Sequence, residues 1–129
     1  MSLSRPALGR DAGHAGIPAA MEAFSNLAED WGLNTDEQIT LLGSPGRSTF
    51  FKWKKEGGNL PNDTLERISH LLGIYKSLQI LLPNPEAADG WIKRSNSYFG
   101  GRSALETMMG GQVIDIYKVR EYLDAQRGG

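Results

Sequence analysis

From Met21 onward, apolar residues recur at three- and four-residue spacing, and no segment alternates apolar and polar positions as a half-buried strand does. The pattern predicts an all-α fold. Met21, Phe24, Leu27, Ala28 and Trp31 share one face of a first helix that opens near Pro18, where proline suits the first turn, and stops at Gly32. A second helix opens at Asn34 or Thr35, with Thr35 and Gln38 spaced as a capping box, carries Ile39 and Leu42, and meets Gly43. Ser44-Pro45-Gly46 reads as a turn. A third helix, from Arg47 or Ser48, then carries Phe50, Phe51, Trp53 and Lys54 until Gly57-Gly58-Asn59 ends it.

The most sustained periodicity follows Pro61. Asp63 stands in the first turn, and Leu65, Ile68, Leu71, Leu72, Tyr75, Leu78, Leu81 and Leu82 form a stripe that Pro83 and Pro85 close. At 1.5 Å per residue this helix is about 30 Å long, enough for the spine of a small domain. Asn84-Pro85-Glu86 then combines a cap, a first-turn proline and an acid matched to the helix dipole, leading into a helix through Trp91 and Ile92. Gly100-Gly101 is a loop, and Ser103 with Glu106 forms a second capping-box pattern on a short helix ending at Gly110-Gly111. Val113, Ile116, Val119, Tyr122 and Leu123 mark a last helix.

Composition narrows the chemistry. The chain has 129 residues and is 40% hydrophobic, which supports one core or two very small ones that share it. It contains no cysteine, so disulfides, thiolate nucleophiles and zinc–cysteine sites are excluded and a reducing cytoplasm fits. The longest apolar run, 78–82, is far too short to span a bilayer, and no cleavable signal pattern opens the chain. A cytoplasmic protein without membrane contact is expected. The formal net charge of −1 argues against a polybasic protein, so any nucleic-acid contact must come from a local patch. His14 and His70 have no companion ligands at metal spacing, the carboxylates are scattered, and neither glycine pair follows a strand. No catalytic residue, metal or cofactor is expected, and the chain does not read as an enzyme.

The second helix, the Gly43 turn and the third helix have the size and order of a helix-turn-helix. Arg47, Ser48, Thr49 and Lys52 stand where donors would face base edges, and Lys54 and Lys55 could reach phosphate. The plainer reading of Lys52, Lys54 and Lys55 is a solvated helix face. The segment from Gly43 to Trp53 resembles the Xre/Cro family. It departs from that pattern in Pro45-Gly46, which lengthens the turn, and in Ile39, larger than the residue usual there.

Further on, Trp91, Asn96, Phe99, Gly100, Gly101, Ser103, Leu105, Arg120, Tyr122 and Leu123 occur in the order of a second pattern. It resembles the C-terminal module of the bacterial Xre/MbcA/ParS-type antitoxins over about residues 60 to 127, with Ala104 where the family often has proline. The chain thus divides into a flexible tail (1–17), a helix-turn-helix bundle (18–60) and a small helical module (61–127) entered through the long central helix. Trp91, Phe99, Ser103, Leu105, Tyr122 and Leu123 are expected to be its scaffold, with Ser103 as a cap and the others as core. Asn96, Arg102 and Arg120 have no evident packing reason, and with Gly100, Gly101 and Arg127 of the polar 126–129 tail they are the candidate partner contacts.

The resemblance implies a RES-type toxin that consumes NAD as partner, silenced by this module; the short polar tail after Leu123 suggests in addition that it enters the toxin's cleft. It also implies repression of the chain's own operon through operator DNA. A homodimer or higher oligomer is expected, associated through the first or the central helix. Two other readings stay open: a stand-alone repressor whose C-terminal half dimerises, and an adaptor that never touches DNA.

Overall fold

Helix α1 (Ala19–Trp31) forms as its periodicity predicts, burying Met21, Phe24, Leu27, Ala28 and Trp31. Pro18 is its N-cap rather than a first-turn residue. Gly32 stops it in the left-handed region (φ 64°), where a side chain would be strained, and the Leu33 amide returns to the Ala28 carbonyl at 2.9 Å. These elements belong to a computed structural model that describes residues 17–128. Apart from Ile17, which packs against the core, the expected N-terminal tail lies outside the described residues, as does His14.

Helix α2 (Thr35–Leu41) corrects the sequence reading by one residue. Its capping box pairs Asn34 with Glu37: the Asn34 side chain accepts from the Glu37 amide at 2.7 Å, and Glu37 accepts from the Asn34 amide at 2.9 Å. Gln38, expected in that role, is instead buried and donates to the Leu33 carbonyl at 3.0 Å. Leu41 and Leu42 enter the core, while Ile39 is only partly buried. Helix α3 (Arg47–Lys55) follows, anchored by Phe50 and Trp53.

Helix α4 (Asn62–Leu81) is the 20-residue spine, with Pro61 as its N-cap. Its buried set is broader than one stripe: Thr64, Arg67, Ile74 and Ser77 join Ile68, Leu71 and Leu78, while Leu65 remains exposed. The reason is that α4 is packed on two flanks, by α1 on one and by the last helix on the other. After α4 come α5 (Pro85–Gly90), capped by Asn84 onto the Ala87 amide at 2.9 Å, and two 3₁₀ turns, Trp91–Lys93 and Ser97–Phe99. Then α6 (Ala104–Met108) opens on the expected Ser103/Glu106 capping box, and α7 (Val113–Gln126) closes the fold.

Helices α4 and α7 run parallel, since Arg120 meets His70 and, further along both helices, Arg127 meets Ser77. Glycine at 73 lets them approach, because the Arg120 guanidinium carbon lies only 2.7 Å from where a Cβ would stand. One apolar cluster extends from Met21 to Leu123, so the helix-turn-helix and the C-terminal module share a core. Burying each of Phe24, Trp31 and Phe50 is worth about 1.5–3 kcal/mol. The chain is all-α, and among the described residues no helix is long and apolar enough to cross a membrane.

Candidate functional site

The reversal between α2 and α3 uses two consecutive left-handed residues, Gly43 (φ 100°) and Ser44 (φ 61°). A Cβ at Gly43 would meet the Asp63 carboxylate at 3.0 Å and the Arg67 Nε at 3.2 Å. The start of α4 locks this turn from below: Arg67 donates to Asp63 at 2.8 Å, and the Thr64 hydroxyl donates to the Leu42 carbonyl at 3.0 Å. With Phe50 and Trp53 turned inward, Arg47, Ser48, Thr49, Lys52, Lys54 and Lys55 are all exposed along α3. All six candidate DNA contacts are accessible, but only Arg47, Ser48, Lys52 and Lys55 share the outer face opposite Phe50 and Trp53, while Thr49 and Lys54 lie on its two opposite flanks. Arg47 pairs with Asp36 at 2.9 Å, with both side chains largely in water, so the pair is easily exchanged for another anion.

The C-terminal candidates divide differently. Asn96 shapes its own loop: its side chain accepts from the Tyr98 amide at 2.8 Å, and its carbonyl accepts from the amides of Phe99 and Gly101. Gly100 (φ 70°) and Gly101 (φ 87°) complete the loop in left-handed conformations, and Ser95 donates its hydroxyl to the Gly101 carbonyl at 2.6 Å. Arg120 bridges α7 to α4, donating to His70 Nδ1 at 3.1 Å, with Asp124 3.8 Å from its Nε. Asn96 and Arg120 thus do have structural reasons for their positions, against the sequence-based expectation. Their partners are a loop geometry and a helix fifty residues away. Arg127 is not part of a free tail either: α7 continues to Gln126, and Arg127 donates to the Ser77 hydroxyl at 3.3 Å. Gly129 lies outside the described residues. Arg102 is exposed, and its guanidinium donates to the Glu106 carbonyl at 3.2 Å.

The scaffold residues hold the larger correction. Ser103, Leu105 and Leu123 are buried, but Trp91, Phe99 and Tyr122 are only half-buried. Tyr122 lies stacked beside Trp91 (centroids 6.2 Å apart, planes at 14°) and meets Phe99 edge-on at 5.6 Å. Tyr98, 62% exposed, leans on Tyr122 at 4.4 Å. The 96–101 loop lays Tyr98 and Phe99 against Tyr122 of α7.

A groove lies on each side of this aromatic ridge. One, of about 270 Å³, is walled by Leu78, Leu81, Leu82, Trp91 and Tyr122. The other, of about 420 Å³, is walled by Tyr98, Phe99, Arg102, Lys118 and Glu121. Sequence reasoning missed Tyr98 and Lys118. A usable signal was the adjacent pair Tyr98-Phe99 on a short turn, since neighbouring side chains there cannot both point inward.

Among the described residues no group of three or more His, Asp or Glu is placed to hold a metal ion. Residues 10–73 match the family described as the antitoxin Xre-like helix-turn-helix domain, and residues 77–129 match the antitoxin Xre/MbcA/ParS C-terminal toxin-binding domain. The chain is also similar to the uncharacterized protein y4oB of Sinorhizobium fredii, 63% identical over 115 residues that cover 89% of each chain. Both matched domains are regulatory rather than catalytic. An Xre-like helix-turn-helix followed on the same central helix by a toxin-binding domain makes this chain a member of the Xre/MbcA/ParS antitoxin family.

Proposed function

We propose that this chain neutralises a RES-domain, NAD-degrading toxin by docking it on the aromatic ridge, and represses its own operon through α3. The ridge is the observation that carries the reading. Tyrosine and tryptophan, large, rigid and polar at one edge, are the side chains that most often anchor protein interfaces. Here they are half-exposed between two grooves, with Arg102 and Lys118 at the rim. The RES class of the toxin comes from the family resemblance alone.

Asn96, Gly100, Gly101 and Arg120 act in this proposal mainly by holding the ridge in shape, and Arg102 by direct contact. Because α7 reaches Gln126 and Arg127 is held to Ser77, the ridge carries the proposal and an inserted tail does not.

Operator binding rests on Arg47, Ser48, Thr49, Lys52, Lys54 and Lys55. With a net charge of −1, affinity must come from this patch and from pairing of copies, and must fall by about 0.9 log units per neutralised phosphate for each tenfold rise in salt. A groove of about 190 Å³ between α1 and α4, with Ala23, Leu27 and Leu72 in its wall, offers apolar surface for such a homodimer.

The test is co-expression with a RES-domain toxin encoded by a neighbouring gene, scored by growth. Wild-type chain restores growth, Tyr98→Ala does not, and an Arg47/Lys52/Lys54 triple alanine variant restores growth but no longer binds the operator. Failure of the wild type to restore growth overturns the toxin reading. Undiminished operator binding by the triple variant overturns the DNA reading.

A further inference from the structure

Phe51 is a large apolar side chain left in water, 48% exposed, in the middle of α3. Its neighbours on the outer surface of that helix are Arg47, Ser48, Lys52 and Lys55, all exposed, and α3 has no acid in its first turn. A single exposed phenylalanine is ordinary on a protein surface. This one is held in place: its ring meets Phe50 edge-on at 5.2 Å, and the Arg47 guanidinium carbon lies 5.8 Å from its centroid. Arg47 also pairs with Asp36 at 2.9 Å, an exchangeable contact in water.

An apolar ring that shares its helix face with three cations, Arg47, Lys52 and Lys55, suits few surfaces. An apolar protein face would have to desolvate the charges, and a uniformly anionic surface would leave the ring unused. The major groove of duplex DNA supplies both complements. Phosphates line its two walls, and its floor carries the C5-methyl of thymine beside the polar base edges.

We infer that Phe51 is a specificity-determining residue that packs its ring on the methyl group of a thymine in each operator half-site. The assignment rests on the reading of α3 as the DNA-binding helix. Arg47, released from Asp36, would present its two-pronged donor to the base edge or phosphate beside that thymine. Removing one methyl from the contact costs about fourfold in affinity per thymine, the value of one buried methylene-sized group.

The experiment selects bound sequences from a random duplex pool with the full chain. The enriched duplex is then resynthesised with deoxyuridine replacing each thymine in turn. Wild-type protein is expected to lose about fourfold at one thymine per half-site. Phe51→Ala should bind the thymine and deoxyuridine duplexes equally while keeping its salt dependence. Phe51 is exposed, so the variant should fold, and its circular dichroism should match the wild type. If the wild type discriminates thymine from deoxyuridine and Phe51→Ala discriminates equally, the assignment to Phe51 is overturned while the DNA reading stands. If the wild type enriches no sequence, the DNA reading falls and this one with it.

Discussion

Gly73→Ala is the sharpest test of how α4 and α7 are joined. A Cβ at this position would stand 2.7 Å from Arg120 Cζ and 2.8 Å from its Nε, so the guanidinium must move. It is the far end of a flexible side chain, 32% exposed, and can swing into water. The cost is then its hydrogen bond to His70, about 1 kcal/mol net. Against this, replacing glycine by alanine inside a helix gains about 0.8–1.0 kcal/mol. The two nearly cancel, and the single variant should unfold within about 0.5 kcal/mol of wild type.

In an Arg120→Ala background the obstruction is gone, and the same Gly73→Ala change should stabilise by about 1 kcal/mol. The assay is a double-mutant cycle from urea unfolding at constant m-value. The predicted coupling, about 1 kcal/mol, exceeds the roughly 0.3–0.5 kcal/mol within which independent sites add. Equal effects of Gly73→Ala in both backgrounds would refute the packing of Arg120 on Gly73. A toxin-binding defect of Arg120→Ala would then need a cause other than a loosened α4–α7 seam.

Two further outcomes follow from local chemistry. Burial first, and then the negative charge of Asp30, raise the pKa of Asp89, while a hydrogen bond from Gln79 opposes them. A carboxyl whose folded pKa exceeds its unfolded value contributes stability fully below the unfolded pKa, about 3.9, and loses it as pH rises through the folded value. Asp89→Asn, which keeps an acceptor for Gln79, should therefore raise the urea midpoint at neutral pH, with the gain shrinking toward about pH 3.5. A gain of the same size at both pH values would exclude the ionisation as its source. Ser103→Ala removes the hydroxyl that accepts from the Glu106 amide at 3.0 Å and should cost about 1 kcal/mol in the same assay. A loss below about 0.3 kcal/mol would mean that the cap does not hold α6.

Much of the fold was legible because its signals are local. Gly32 as a helix stop, Asn84 and Ser103 as caps and the α1 stripe all depend on residues within a turn or two. The Asn34 cap slipped by one because Thr35 and Gln38 fit the capping-box pattern at the same three-residue spacing as Asn34 and Glu37. Burial of Arg67, Ile74 and Ser77 was hidden for another reason: a single apolar stripe describes a helix packed on one side, and α4 is packed on two. The candidate site was less legible. A tryptophan or tyrosine has the same sequence signature whether buried or half-exposed, so Trp91, Phe99 and Tyr122 read as core. Asn96 and Arg120 read as idle polar groups because a loop's closure and His70, fifty positions away, leave no trace at short range.

Helix α4 also fixes a distance. Thr64, near its start, is bonded to the turn that sets α3, and Leu81, at its end, walls a groove beside the aromatic ridge. Seventeen residues of helix separate them, about 25 Å with no hinge between. A toxin on the ridge would therefore be carried at one set height and one set angle around the DNA axis. Two protomers on adjacent half-sites would hold their cargo in a phase that the operator's spacing decides. A change of five base pairs, half a helical turn, would swing one cargo to the opposite side of the duplex. Operator spacing would then determine whether toxin-loaded protomers can bind side by side.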